Sequence, residues 1–296
     1  MPTPYRGRFA PSPTGPLHFG SLVAALGSWM MARRAGGEWI VRMEDIDTPR
    51  EVPGAADRQL NTLAAFGMPP DGPVLRQSQR GHLYQAALDR LLAAGLAFPC
   101  RCSRSQLEAV GGIHRECLGA GDPARTPAIR LRVPARVVSF EDAIQGPFSQ
   151  RLDTEVGDFV LKRADGLWAY QLAVVVDDAD QGITEVVRGA DLLDSTPRQI
   201  LLQQRLGLPT PRHAHLPLVR DAAGRKLGKS LRSLPVDDAA PWPALAAAWR
   251  FLGQPASALD VGGAPEPALR RAAERFDPAR IPASSDHPVS RPDALT

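Results

Sequence analysis

Two stretches far apart in the chain carry residue types suited to phosphate chemistry. The first is Arg8 to Ser21, RFAPSPTGPLHFGS. A short apolar segment, Arg8-Phe9-Ala10, reads as a strand. Pro11, Pro13 and Pro16 lack a backbone donor and Gly15 is free to turn, so the following residues form a loop. Ser21 then opens an apolar helix as its expected N-cap. Strand, tight loop and helix N-terminus together make an anion site, because free N–H groups and the positive end of the helix dipole converge there. His18 adds a side-chain donor, and Gly20 removes the side chain where a flat ring could lie on the backbone. Taken alone, the stretch is equally an ordinary strand–helix turn with an incidental histidine.

The second stretch is Asp221 to Ser230, DAAGRKLGKS, a polar glycine-containing loop with two lysines three apart. Such a loop neutralises phosphate charge when it closes over a nucleotide. The chain has only three lysines, Lys162, Lys226 and Lys229, against many arginines, so two of them sharing this loop stands out from a merely solvated basic turn. A third cluster suits a metal. Cys100-x-Cys102 and His114-x-x-Cys117 supply four soft or borderline ligands, the number a tetrahedral structural Zn2+ requires, and Gly111-Gly112 lets the chain reverse between the pairs. Three buried thiols beside a surface histidine is the alternative reading.

The elements that must position these groups alternate. Helices are expected at Leu22–Arg34, Ala55–Phe66, Leu83–Ala94 and Thr196–Leu206, and strands at Glu38–Met43 and His215–Val219. Apolar segments also fall at Phe159–Lys162 and Tyr170–Val176. This order favours a parallel sheet with crossover helices, an α/β fold. From Phe98 to about residue 150 the rhythm breaks, with all the cysteines and the short apolar segments Ala128–Val133 and Arg136–Phe140. Helices are expected again at Ala244–Leu252 and Pro267–Phe276, followed by a polar tail. The 296 residues, 44% hydrophobic and 23% charged, fit a globular protein with ample core. A net charge of +3 permits a nucleic-acid partner without arguing strongly for one. No apolar run reaches membrane-spanning length and the N-terminus lacks the apolar core of a signal peptide, so a cytoplasmic protein is expected.

PSPTGPLHFG and KLGKS resemble the HIGH and KMSKS signatures of class I aminoacyl-tRNA synthetases, with Ser21 and Gly228 as departures from the usual residues. RFAPSPTG, MEDID, VVDD and EVVRGADLL resemble the glutamyl/glutaminyl branch over residues 5 to 235. The residues after Ser230 are too few for the anticodon-binding region of that branch. With HFGSL, CRCSRSQLEAVGGIH and AYQLAVVVDD, the chain is similar to the glutamyl-Q tRNA(Asp) synthetases, which activate glutamate without tRNA and attach it to queuosine in the anticodon of tRNA(Asp). Val174, where the full-length glutamyl enzymes carry a polar residue, agrees.

The resemblance implies a Rossmann-type parallel sheet with a small inserted zinc-binding subdomain and a short helical C-terminal region. It divides the chain into 1–97 with the HIGH-like motif, 98–150 as the insertion, 151–235 with the KMSKS-like loop, 236–281 as helices and 282–296 as a mobile tail. It implies catalysis by His18, Lys226 and Lys229, and ATP binding by His18, Gly20, Ser21 and Lys229. Arg8, Ala10, Ser12, Glu44, Tyr170 and Arg188 would hold glutamate, with Asp45 and Asp47 shaping the loop. Within the zinc cluster Cys100, Cys102, His114 and Cys117, the family often has tyrosine in place of His114 and one more residue before the last cysteine. ATP with Mg2+, L-glutamate and tRNA(Asp) carrying queuosine are the implied partners of a monomer. A shortened glutamyl-tRNA synthetase and a non-catalytic tRNA-binding paralogue are the alternatives.

Overall fold

The computed structural model describes residues 4–118, 124–219 and 235–283. Lys226, Lys229 and all but the first two residues of the expected tail 282–296 lie outside the described residues. Strands are β1 (Arg6–Phe9), β2 (Glu38–Met43), β3 (Leu75–Arg76), β4 (Ala97–Cys100), β5 (Ala128–Leu131), β6 (Val137–Asp142), β7 (Gly146–Arg151), β8 (Val160–Lys162), β9 (Glu185–Gly189) and β10 (Arg212–Leu216). Helices are α1 (Phe19–Arg34), α2 (Ala55–Ala65), α3 (Gly81–Ala93), α4 (Arg104–Glu108), α5 (Leu152–Glu155), α6 (Tyr170–Asp180), α7 (Thr196–Leu206), α8 (Pro241–Phe251) and α9 (Pro265–Arg275).

Among the described residues the main sheet has seven strands in the order β3-β2-β1-β9-β10-β6-β7. All its pairings are parallel except the β6–β7 hairpin. The chain moves from β1 to β2 and β3 on one side, then returns to lay β9 and β10 on the other. The order therefore reverses between β1 and β9, and a crevice opens beyond their C-terminal ends, where ligands of open α/β sheets bind. A smaller antiparallel sheet, β4-β5-β8, carries the cysteine-rich segment. The two sheets interleave along the chain: a boundary at residue 150 falls inside β7, and β8 beyond it joins the small sheet.

Strand alternation divides the main sheet into two chemically distinct faces. Phe9, Val41, Met43, Val187, Ala214 and Leu216 belong to one apolar core with Trp29 and Leu26 of α1. Arg8, Arg42, Arg188, His213 and His215 alternate to the other face and are buried there. Helix α1 is apolar nearly all round because it is covered twice, by the sheet and by α8 and α9. On the other side α3, α6 and α7 pack together around Tyr84, Leu172, Val175 and Leu201.

The structure corrects several local expectations. Helix α1 begins at Phe19, and its N-cap is His18, whose ring accepts the Ser21 N–H; Ser21 lies inside the first turn. The strand expected at His215–Val219 occupies Arg212–Leu216, because Pro217 has no N–H to continue the ladder and the two histidines are satisfied internally. Strand β9 carries too mixed a sequence for the apolar pattern to mark it. No helix among the described residues is long and apolar enough to cross a membrane.

The C-terminal helices complete the core of α1. Leu269 of α9 is fully buried in that cluster. Leu269→Ala is expected to lower the unfolding free energy by about 2–5 kcal/mol, measured by denaturant titration.

Candidate active site

The crevice at the ends of β1 and β9 is a cleft of about 1160 Å³. Arg8, Ala10, Ser12, Glu44, Tyr170 and Arg188 all border it, as do His18, Gly20 and Ser21. The described flanks of the lysine-bearing stretch lie nearby. Val219 lines the cleft, and Pro235 bridges to His18 while the Val236 N–H donates to Leu17 O at 3.1 Å.

The loop between β1 and α1 is held by a residue that the sequence does not mark. Gln59 of α2, buried, donates its amide to Ser12 O at 3.1 Å and Gly15 O at 2.7 Å. Asp45 accepts from Ser78 N and Oγ, both at 2.8 Å, and Asp47 accepts from Arg50 Nε at 2.6 Å, which fits the loop-shaping role read for both acids.

His18 accepts the Ser21 backbone N–H at Nδ1, 3.2 Å away. The backbone amide is only a donor, so Nδ1 is bare and the proton of the neutral ring sits on Nε2, 3.2 Å from Ser21 Oγ. The Ser21 amide is therefore already engaged, contrary to the expectation of a free amide for phosphate. A Cβ on Gly20 would lie 3.1 Å from His18 Cε1, so the missing side chain lets the ring lie close to the helix.

At the floor, Arg8 donates Nε and Nη2 to the two oxygens of Asp178 at 3.1 and 3.3 Å. Arg42, fully buried, reaches the same carboxylate at 2.8 Å, Gln181 Oε1 at 2.6 Å and Glu44 at 3.4 Å. Burial would raise the Asp178 carboxyl, but the charges and hydrogen bonds of Arg8 and Arg42 hold it below the usual range. Glu44 goes the other way. Its burial outweighs the same two arginines, with the Asp178 charge adding to the rise. On the opposite wall Arg188 donates Nη1 to the Tyr170 hydroxyl at 3.2 Å and Nε to His215 Nε2 at 3.0 Å. Asp178 and His215 are site residues that sequence reading missed. The signal was present in the paired acids ending an otherwise apolar helix and in a histidine inside a buried strand.

The four expected metal ligands converge. Their ligand atoms all lie within 4.8 Å of one another, with Cys100 Sγ 3.3 Å and Cys117 Sγ 3.9 Å from His114 Nε2. His114 Nδ1 is 3.0 Å from Asp158 Oδ2, the carboxylate partner that typically orients a metal-binding imidazole. Gly157 permits the approach, since a Cβ there would meet His114 O at 2.2 Å. Three thiolates so close cannot ionise together without a cation among them, so the donor set fits a tetrahedral metal ion.

This fold, with its cleft at the β1/β9 reversal, is that of a class I synthetase catalytic domain. Residues 5–240 match the family described as tRNA synthetases class I (E and Q), catalytic domain. The chain is 63% identical over 280 residues to a glutamyl-Q tRNA(Asp) synthetase of Xanthomonas campestris pv. campestris (strain 8004), covering 94% of each. It is 54% identical over 285 residues to one of Ectopseudomonas mendocina (strain ymp), covering 96% of this chain and 97% of the relative. A crystal structure of a glutamate tRNA ligase from Elizabethkingia meningosepticum CCUG26117, in complex with its amino acid, superposes with a TM-score of 0.80 at 28% identity, covering 95% of this chain and 67% of that one. The chain belongs to the glutamyl-Q tRNA(Asp) synthetase family.

Burial of the histidines on the polar face has a consequence for stability. Burial and the Arg188 charge push His213 down to about 3. The unfolded chain takes up that proton near pH 6.5 and the native protein only near 3, so His213's contribution is complete above pH 6.5 and declines as pH falls. The decline is about 1.4 kcal/mol per pH unit, or about 2 kcal/mol between pH 6.5 and pH 5. His215, also lowered by burial, acts in the same sense, while Glu44 acts in the opposite one. His213→Gln should therefore reduce the loss of unfolding free energy between pH 7 and pH 5, measured by denaturant titration at both.

Proposed function

We propose that the cleft activates L-glutamate with ATP, without tRNA, and that the glutamate is then transferred to the queuosine base in the anticodon of tRNA(Asp). The observation that carries this reading is the convergence, in one cleft of a glutamyl-Q tRNA(Asp) synthetase family member, of two cationic walls and a helix N-terminus.

In the first step an α-carboxylate oxygen of glutamate attacks the α-phosphorus of ATP and pyrophosphate leaves. Two anions must meet, so positive groups have to be in place beforehand. Arg8, fixed by Asp178, and Arg188, with Tyr170 beside it, supply the glutamate site. Ala10 and Ser12 form its loop wall. Glu44 takes the substrate ammonium, whose charge offsets the burial that otherwise pushes this carboxyl up. His18 offers Nε2–H to the phosphates at the N-terminus of α1, beside Gly20 and Ser21, and Lys226 and Lys229 neutralise the charge that grows on the α-phosphate. Mg2+ bound with ATP supplies further neutralisation. We place the reaction in the cytoplasm, in a monomer.

The Cys100, Cys102, His114 and Cys117 cluster is assigned to a structural Zn2+, which when bound would order a segment poor in large apolar side chains. Asp158→Asn should weaken zinc retention by about 10- to 100-fold, measured by chelator competition. Protein purified without chelators that is zinc-free yet folded and active would refute the assignment.

The test of the activity is glutamate-dependent ATP–pyrophosphate exchange without tRNA, followed by transfer of radiolabelled glutamate to tRNA pools with and without queuosine. Label mapped by nuclease digestion to the queuosine position is expected. Label at the 3′ terminal adenosine would indicate a shortened glutamyl-tRNA synthetase, and absence of exchange a non-catalytic paralogue. Lys229→Ala should lower the activation rate by about two or more orders of magnitude with a smaller effect on ATP affinity. Equal losses in both would show that the lysine binds ground state and transition state alike.

A further inference from the structure

Behind Arg188 lies a chain of buried polar groups that the activation chemistry does not itself use. Asp142, at the end of β6, is fully buried at its carboxylate. Its Oδ1 accepts three backbone N–H groups, from Ile144 at 3.0 Å, Gln145 at 2.9 Å and His215 at 3.0 Å. Its Oδ2 lies 2.5 Å from His215 Nδ1. On the far side of the ring, Arg188 Nε donates to His215 Nε2 at 3.0 Å. Arg188 Nη2 donates to Thr196 Oγ1 at 2.8 Å and Leu192 O at 3.2 Å. Only Nη1 is left to face Tyr170 and the cleft.

A guanidinium has five N–H donors and no acceptor, and it stays charged. Nε2 must therefore be bare, and the single proton of a neutral ring must sit on Nδ1, where the Asp142 carboxylate receives it. The tautomer is fixed from both ends. We infer that Asp142 and His215 are positioning residues that hold the Arg188 guanidinium in one orientation, presenting Nη1 to the carboxylate of the bound amino acid. This rests on the reading of Arg188 as part of the glutamate site.

The surroundings of His215 favour the neutral ring. Burial comes first in lowering its affinity for a proton, and the Arg188 and Arg8 charges act the same way, against Asp142. His213, stacked on it with centroids 6.2 Å apart, is itself pushed down to about 3. Phe140 closes the remaining side at 6.4 Å. A proton on both ring nitrogens would set one cation against another and remove the acceptor that Arg188 needs. Orientation matters because a guanidinium recognises a carboxylate through directed donors rather than as a point charge.

Asp142→Asn is the discriminating substitution. It preserves shape and an oxygen for the backbone donors. Its amide NH2, however, faces Nδ1, which drives the ring proton to Nε2 and against the Arg188 N–H. The glutamate KM in pyrophosphate exchange should rise about 10- to 100-fold, as for loss of a hydrogen bond to a charged group, with the ATP KM little changed. Arg188→Ala sets the scale. If Arg188→Ala leaves the glutamate KM unaltered, the glutamate-site reading falls and this inference with it. If Arg188→Ala raises it but folded Asp142→Asn does not, the positioning role alone is overturned. A second measurement uses the unaltered protein, so it stands even if Asp142→Asn does not fold. The 15N spectrum of the His215 ring, assigned by its loss in His215→Gln, should show a neutral ring protonated on Nδ1 from about pH 6 to 8. A proton on Nε2, or titration near the ordinary histidine value of about 6.5, would overturn the inference.

Discussion

One carboxylate, that of Asp178, ties the floor of the cleft together. It receives Arg8 from β1 and Arg42 from β2, and it belongs to α6 packed across them. Three elements that are far apart in sequence meet at this point. Replacing such a buried ionic set with apolar groups is often no loss of stability, whereas removing one partner strands an uncompensated charge at a cost of about 3–5 kcal/mol. What the set provides here is direction. With both oxygens of Asp178 engaged, Arg8 has a single orientation, and the sheet, the helix and the cleft wall share one geometry.

The same constraint explains the division of the sheet into two faces. Alternation sends Phe9, Val41, Met43, Val187, Ala214 and Leu216 toward α1 and sends Arg8, Arg42, Arg188, His213 and His215 to the other side, together with the small apolar cluster of Ile40 and Val186. Cations in neighbouring strands repel, so acids must be brought to that face from elsewhere. Asp177 and Asp178 come from α6 and Asp142 from the β6–β7 hairpin. Asp177 is engaged by Gln77 at 2.7 Å, Tyr84 at 2.7 Å and Arg80 at 2.6 Å, which locks α6 to α3 and its approach. The polar face is thus assembled from the middle of the chain, while α8 and α9 finish the apolar one.

The α/β alternation, most helices, the proline-rich turn after β1 and the four metal ligands were legible in the sequence, because each has a local signature: a period, a breaker or a ligand spacing. Strand β9 was not, since EVVRG mixes charged and apolar residues and its arginine is satisfied only by partners elsewhere in the chain. The displacement of β10 has the same origin, because Arg212 and His213 look like loop residues until Glu185 and Val186 of β9 are placed beside them. Ser21 was misread as the cap because serine is a good N-cap in general, but His18 reaches the same amide first. Six residues that border the cleft, proposed here to hold glutamate, were named through the resemblance. Asp178, Gln59, Asp142 and Asp158 were missed because their role is to hold another residue, and that depends on tertiary contacts no motif encodes.

Those missed residues share a logic. Arg8 is oriented by Asp178, Arg188 by Asp142 through His215, and His114 by Asp158, each carboxylate arriving from a different segment than the group it holds. A long or rotatable side chain loses entropy when a ligand fixes it, and a second group that fixes it beforehand removes that cost from binding. His18 is the exception. Its ring is held by the amide of its own helix, at 3.2 Å, and by the absence of a side chain at Gly20. With Nδ1 occupied by that amide, the imidazole presents Nε2 on its other edge. In the proposed function that edge meets phosphates beside a helix N-terminus that already carries positive potential, whereas the arginines proposed for glutamate are held still by buried partners.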